Sequence, residues 1–268
     1  MRQVLKSKAA YSNADVQRVW QDIEQYVSRA EAETAIEEAA AETRKVVALA
    51  GGDVCYGWSG GKDSIALQVV MEAAGVRTPI IGLIPALEWH GYMDWIDAHA
   101  PEGTIRYANT AVDLHWLAKN PQYLFPATNQ LGYKWTLLGT RRAQLMHQEQ
   151  HRPTLQIYGR RTKDGNYIPP TEYGIHKTKA LTTYSPIRYW SHELVLAVVH
   201  YSGRCLPPVY GWPEGWKTGT GSWAGRRIGD GSHDVSWANT WECEPDRVRE
   251  AAEVLPGARA WLAARGEA

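Results

Sequence analysis

Phenylalanine is nearly missing from this chain: Phe125 stands alone against 13 tryptophans and 14 tyrosines. That aromatic bias reads as core and surface filling, not as a cofactor box. Cysteine is sparse as well. Cys55, Cys205 and Cys243 lie far apart and form no Cys-x-x-Cys pair, which argues against a disulfide framework, a zinc site and an iron–sulfur cluster. Three free thiols suit a reducing cytosol. Charge of one sign is absent in excess, with 29 basic and 29 acidic residues and a pI near 7.1. No broad basic field exists to bind nucleic acid non-specifically. No apolar run reaches bilayer-spanning length, and Met1–Ala10 carries Arg and Lys without the apolar segment of a signal peptide. A cytoplasmic protein with no membrane partner is the expectation. What the chain does have is 44% apolar and 22% charged residues over 268 positions, enough for one large domain or a domain with an appendage.

The pattern divides the chain into a helical cap (1–50), a nucleotide-domain candidate (51–202) and a carboxy-terminal arm with a helix (203–268). Val16, Val19, Trp20, Ile23 and Val27 recur at helical spacing, and the Ala/Glu-rich run that follows ends at Gly51-Gly52. From Asp53 the texture becomes strand, loop, helix. Strands are expected at 53–58, 79–84, 104–107 and 154–158. Helices are expected at 65–74, 92–99, 111–119, 141–150 and 191–200, with 120–136 and 161–185 as loops. Strands alternating with helices predict an α/β, doubly wound, mostly parallel sheet with right-handed crossovers. Between 203 and 241 eight glycines and three prolines erase periodicity, predicting an arm that is either ordered over the domain or mobile. A single last helix is expected over 245–264.

Ser59-Gly60-Gly61-Lys62-Asp63-Ser64 lies between the first strand and its helix. Paired glycines let the backbone turn tightly and approach a phosphate with no Cβ in the way. The helix that follows aims unpaired N–H groups and its dipole at an anion. Ser59 and Ser64 supply hydroxyls, Lys62 a positive charge, and Asp63 a carboxylate for a magnesium ion. A Walker A loop would need Gly at Tyr56 and Ser or Thr at Asp63, and no Gly-x-Gly-x-x-Gly is present.

The six residues instead match the PP-loop, Ser-Gly-Gly-x-Asp-Ser. There the chain resembles the adenine-nucleotide alpha-hydrolase superfamily, most closely the phosphoadenosine-phosphosulfate (PAPS) reductase family. The resemblance implies a HUP-type fold, an ATP-like adenine nucleotide and Mg2+. It continues through Ala86-Leu87-Glu88-Trp89, similar to the segment lining the family's nucleotide site, and through Gly159-Arg160-Arg161 with Asp164, similar to its Gly-x-Arg. On this reading Ser59, Gly60, Gly61, Lys62, Asp63, Ser64, Glu88, Gly159 and Arg161 bind nucleotide, with Lys62, Asp63 and Arg161 catalytic. Pro186 to Trp190 and Pro208-Val209-Tyr210 are similar to later family segments.

Two family features are missing: a carboxy-terminal Glu-Cys-Gly-type thiol, and the paired cysteines of iron–sulfur relatives. Cys243 is the one tail-like thiol, and a helix follows it. The expected reaction is therefore attack by an unidentified acceptor on the α-phosphorus of ATP, giving an adenylate and pyrophosphate. A thiol-dependent sulfonucleotide reductase and a nucleotide-binding protein without catalysis stand as alternatives. His147 and His151, four apart, read as a polar helix face. The Trp/Arg mixture between Trp212 and Trp241 could stack bases, though neutral charge disfavours nucleic acid. Arg226 and Arg227 are candidates to close over phosphates. Self-association is left open.

Overall fold

The computed structural model describes residues 2–6, 10–178 and 181–267. Residues 1 and 7–9 of the segment read against a signal peptide lie outside the described residues.

Ser12 and Ser28 decide how the amino-terminal helical region is cut. Each serine hydroxyl accepts from the N–H three residues on, while Asp15 or Glu31 accepts from the cap's own N–H. These two reciprocal capping boxes start two helices, α1 (Asn13–Gln21) and α2 (Arg29–Ala50), where the sequence suggests one. β1 (Val54–Gly57), α3 (Lys62–Ala74), β2 (Pro79–Leu83), α4 (His90–His99), β3 (Ile105–Ala108) and α5 (Leu114–Lys119) then follow close to expectation.

The segment expected as a loop at 120–136 contains α6 (Asn129–Thr136), because Thr128 caps it by accepting from Leu131 N–H. A π-helical turn, Leu137–Arg141, carries α6 into α7 (Arg142–His151). β4 (Leu155–Ile157) is as expected. The long loop after it contains two strands the pattern did not signal, β5 (His176–Lys177) and β6 (Thr182–Tyr184), each too short to show alternation. α8 (His192–Tyr201) follows the Ser191 cap. The glycine-rich arm is partly helical, with α9 (Gly215–Thr218) and α10 (His233–Cys243). The last helix is two, α11 (Pro245–Val254) and α12 (Pro256–Ala263). Pro256 has no N–H to continue α11 and sits at the first position of its successor.

The six strands form one sheet in the order β3-β2-β1-β4-β6-β5. β1 runs parallel to both β2 and β4, β4 runs parallel to β6, and β5 runs antiparallel to β6. Strand order reverses direction at β1. The chain moves outward on one side through β2 and β3, then returns to the other side of β1 as β4. In open α/β sheets the crevice at the carboxyl ends of two such strands is where ligands bind.

Contacts group the chain into two units, each discontinuous in sequence. The first comprises Met1–Ile81, Ala100–Ile105 and His147–Leu206, and the second Gly82–His99, Arg106–Met146 and Pro207–Ala268. In the first, α2, α3 and α8 pack on one another. α3 buries Ile65, Ala66, Leu67, Val70 and Met71, and α8 is buried along its whole length from His192 to Val199. The amino-terminal segment is tied to α8: the N–H groups of Val4 and Leu5 both donate to Oε1 of the buried Glu193, at 2.7 and 2.6 Å.

Tryptophan builds the core of the second unit. Phe125 meets Trp237 edge-on at 4.8 Å between ring centroids, and Trp223 lies 5.7 Å from Trp237. The Phe125 N–H donates to Ala224 O. Buried Trp89 donates from Nε1 to Gly221 O and carries the Arg226 guanidinium over its ring at 5.2 Å. No helix of the described residues is long and apolar enough to cross a membrane.

Candidate functional site: the loop after β1

β1 and β4 are paired in register, Val54 with Leu155 and Tyr56 with Ile157, so both strands deliver their next residues to one edge of the sheet. β1 delivers Ser59–Ser64 and β4 delivers Gly159-Arg160-Arg161. The sequence-predicted loop and the sequence-predicted arginine are thereby brought together.

Gly60 sits at φ +62°, in the left-handed region that an L side chain enters only at a cost. Gly61 then opens α3 with no side-chain cap. By contrast, Ser12, Ser28, Asp113, Thr128, Ser191 and Ser232 each cap their own helix with a side-chain oxygen. Ser64 does not point outward: its hydroxyl donates to Gly61 O at 2.8 Å and accepts from Ser59 N–H at 3.1 Å, stapling the loop from inside. Gly159 allows the two segments to meet, since a Cβ there would lie 3.0 Å from Asp63 O.

Four charged groups interlock beneath the loop. Lys62, 6% exposed, places Nζ 2.6 Å from Oδ2 of Asp63. Burial pushes its pKa below the ordinary lysine value, with the Asp63 carboxylate opposing that shift. The other Asp63 oxygen, Oδ1, lies 2.8 Å from Nε of Arg161. Arg161 is wholly buried; it donates from Nη1 to Trp190 O at 3.2 Å and from Nη2 to Asp164 and to Nδ1 of His192, both at 3.1 Å. Two cations and two carboxylates leave the cluster with no net charge.

This arrangement bears on two sequence expectations. Arg161 does not present an open fork to an anion: it is wholly buried, ion-paired with Asp63 and hydrogen-bonded to Asp164, Trp190 O and His192. Both carboxylate oxygens of Asp63, the expected magnesium ligand, face cations here, Oδ2 toward Lys62 and Oδ1 toward Arg161. Among the described residues no three His, Cys, Asp or Glu side chains gather around a common point.

The remaining candidates belong to other parts of the chain. Glu88, in the second unit, is buried and accepts from Ile84 N–H at 3.1 Å, which fixes the turn after β2. Burial raises its pKa to about 7. Arg226 is turned inward, donating to Thr218 Oγ1 and lying 3.9 Å from Cys243 Sγ. Arg227 donates to Ala127 O. Burial pushes the Cys243 thiol up from its ordinary value, against the pull of Arg226. His147 and His151 stack at 4.7 Å, and burial lowers the His147 pKa.

Sequence reasoning missed His192 and Tyr11. His192 is 1% exposed, and burial together with Arg161 lowers its pKa to about 3. Tyr11 meets that ring edge-on at 5.0 Å, and burial, then Asp164 and Asp63, raise its pKa to about 12. For His192 a signal was present. Ser191-His192-Glu193 places two titratable groups directly before a fully apolar run, so both had to enter the core with it.

Strand order and the loop after β1 define a doubly wound, mostly parallel α/β fold of the HUP type. Among solved structures the chain is similar to the phosphoadenylyl-sulfate (PAPS) reductase of Candida auris, determined as a phosphate complex. The TM-score is 0.51 at 11% identity, over 80% of this chain and 97% of that one. The FMN adenylyltransferase of Candida glabrata, determined with FMN and the ATP analogue AMPCPP, gives 0.49 at 12% identity over 82% of this chain and 73% of that one. No family model matches the chain, and no curated protein does.

Proposed function

We propose that the chain is a PP-loop enzyme that binds ATP or a related adenine nucleotide and cleaves between its α- and β-phosphates, adenylating an acceptor. The carrying observation is the uncapped, glycine-entered amino terminus of α3 at the switch between β1 and β4. Helix N–H groups and dipole there attract an oligophosphate, and Gly60 and Gly61 remove the side chains that would block its approach. The shared fold with a reductase determined as a phosphate complex supports a phosphate-bearing ligand.

In this reading the acceptor oxygen attacks the α-phosphorus in line, the bond from that phosphorus to the bridging oxygen breaks, and pyrophosphate leaves with the electron pair. The acceptor's proton passes to solvent. Such chemistry asks for positioning and charge neutralisation more than for acid–base side chains. Lys62 supplies the movable cation, leaving Asp63 for the phosphates, while Arg161 stays behind to compensate Asp63. No step is assigned to magnesium at Asp63.

Incubating the chain with ATP, magnesium and a panel of oxygen acceptors, and scoring pyrophosphate, tests the proposal. Pyrophosphate release that needs Gly60 and Lys62 and survives Cys243→Ser is expected. Binding without turnover would favour a non-catalytic nucleotide protein. Sulfite release from a sulfonucleotide, abolished by Cys243→Ser, would favour the reductase.

A further inference from the structure

His192 opens α8 directly after the Ser191 cap, and its imidazole is enclosed. Arginine has no acceptor, so the 3.1 Å contact between Arg161 Nη2 and His192 Nδ1 requires the Arg to donate and Nδ1 to carry no proton. The proton of the neutral ring is then on Nε2, a buried atom with no hydrogen-bond partner. Beside it the Tyr11 ring stands edge-on, its own hydroxyl buried and likewise without a hydrogen-bond partner. An imidazole that leaves one N–H unsatisfied is a poor space-filler. What the position gains is an acceptor aimed at one side of Arg161.

We infer that His192 is a positioning residue for the phosphate loop: its Nδ1 fixes the Arg161 guanidinium, which holds Asp63 and, through Asp63, Lys62. Asp164 already takes the same Nη2, at 3.1 Å to Oδ1 and 3.0 Å to Oδ2. Without the acceptor on the other side, only the Nη1 bond to Trp190 O restrains the guanidinium from turning toward Asp164 and drawing Nε off Asp63. Charged groups around the ring reinforce the neutral form. Arg161, Lys62 and Lys163 oppose a proton on it and Asp63 favours one, while burial, the largest influence, opposes it. Tyr11, with its proton held by burial, faces the same cluster as a neutral group. The functional part of the inference rests on the nucleotide reading above; the structural part does not.

Long-range 15N NMR of the imidazole reads the structural part without any nucleotide. The Nε2–H tautomer, unprotonated at about pH 5, is expected. An Nδ1–H tautomer, or protonation near pH 6.5, overturns the inference whatever the chain binds. The functional arm compares His192→Asn, whose amide oxygen can replace Nδ1 as acceptor, with His192→Leu, which has none. By calorimetry, ATP affinity should fall about tenfold in His192→Leu and stay within about threefold of the native chain in His192→Asn. Equal affinity in all three proteins overturns the inference, as does an equal loss in both variants. Should His192→Leu fail to fold, a tenfold loss in folded His192→Asn overturns it and retained affinity supports it. If the native chain binds no ATP, the nucleotide reading fails while the NMR result still decides the role of His192.

Discussion

Asp63 and Arg161 are joined side-on, Oδ1 to Nε at 2.8 Å, with the arginine wholly buried and the aspartate at the mouth of α3. That contact ties the residues after β4 to the loop after β1. Arg161→Ala would strand Asp164 without its cation and leave Asp63 with Lys62 alone, and should cost about 3–5 kcal/mol. Arg161→Lys should recover little, because a point charge cannot reproduce four directed contacts. Urea denaturation of both variants checks this; a loss below 1 kcal/mol in Arg161→Ala would show the network to be dispensable.

Lys62 should behave in the opposite way. Its partner Asp63 keeps Arg161 when the lysine goes, so Lys62→Met should shift stability by less than about 1 kcal/mol. If the lysine moves to the phosphates, ATP affinity should fall about 10- to 100-fold, the range for losing a hydrogen bond to a charged group. A variant that loses stability and binds ATP normally contradicts the assigned role.

Gly159 tests how closely the loop and the end of β4 must meet. In Gly159→Ala the new methyl would press on Asp63 O from 3.0 Å, a contact with backbone that no side-chain rotation relieves. A loss of about 1–3 kcal/mol is expected, accompanied by weaker nucleotide binding. An unchanged melting temperature would mean that the two segments separate freely.

Glu88 should give the fold a pH signature. Burial raises its carboxyl to about 7 in the folded chain, above the ordinary 4.5. The folded state therefore favours the protonated form. Its contribution is full below about pH 4.5 and is lost as pH rises through 7, on the order of 3 kcal/mol. Glu88→Gln lacks that proton, so its stability relative to the native chain should improve between pH 5 and pH 8. Parallel slopes in urea titrations at the two pH values would show that Glu88 is not held neutral.

The part of this design that was readable in advance is the part that is local. Ser59 to Ser64 announces a turn, a close backbone approach and a helix start within six residues. The strand–helix alternation around it depends only on composition and period. What escaped depends on residues far apart in the chain. Nothing near Arg161 says that its side chain will be engaged by Asp63 and His192, so its Gly-Arg-Arg setting suggests an anion clamp instead of a buried strut. Tyr11 reaches the cluster from 181 residues before the ring it touches. β5 and β6 were hidden because two or three residues cannot display a period of two, and α6 because a threonine cap followed by Gly132 and Tyr133 resembles a turn.

The hold of Glu193 on the Val4 and Leu5 amides means the opening residues are woven into the helix that carries His192. Trimming them would expose a carboxylate that has been shut away from water and loosen the root of α8.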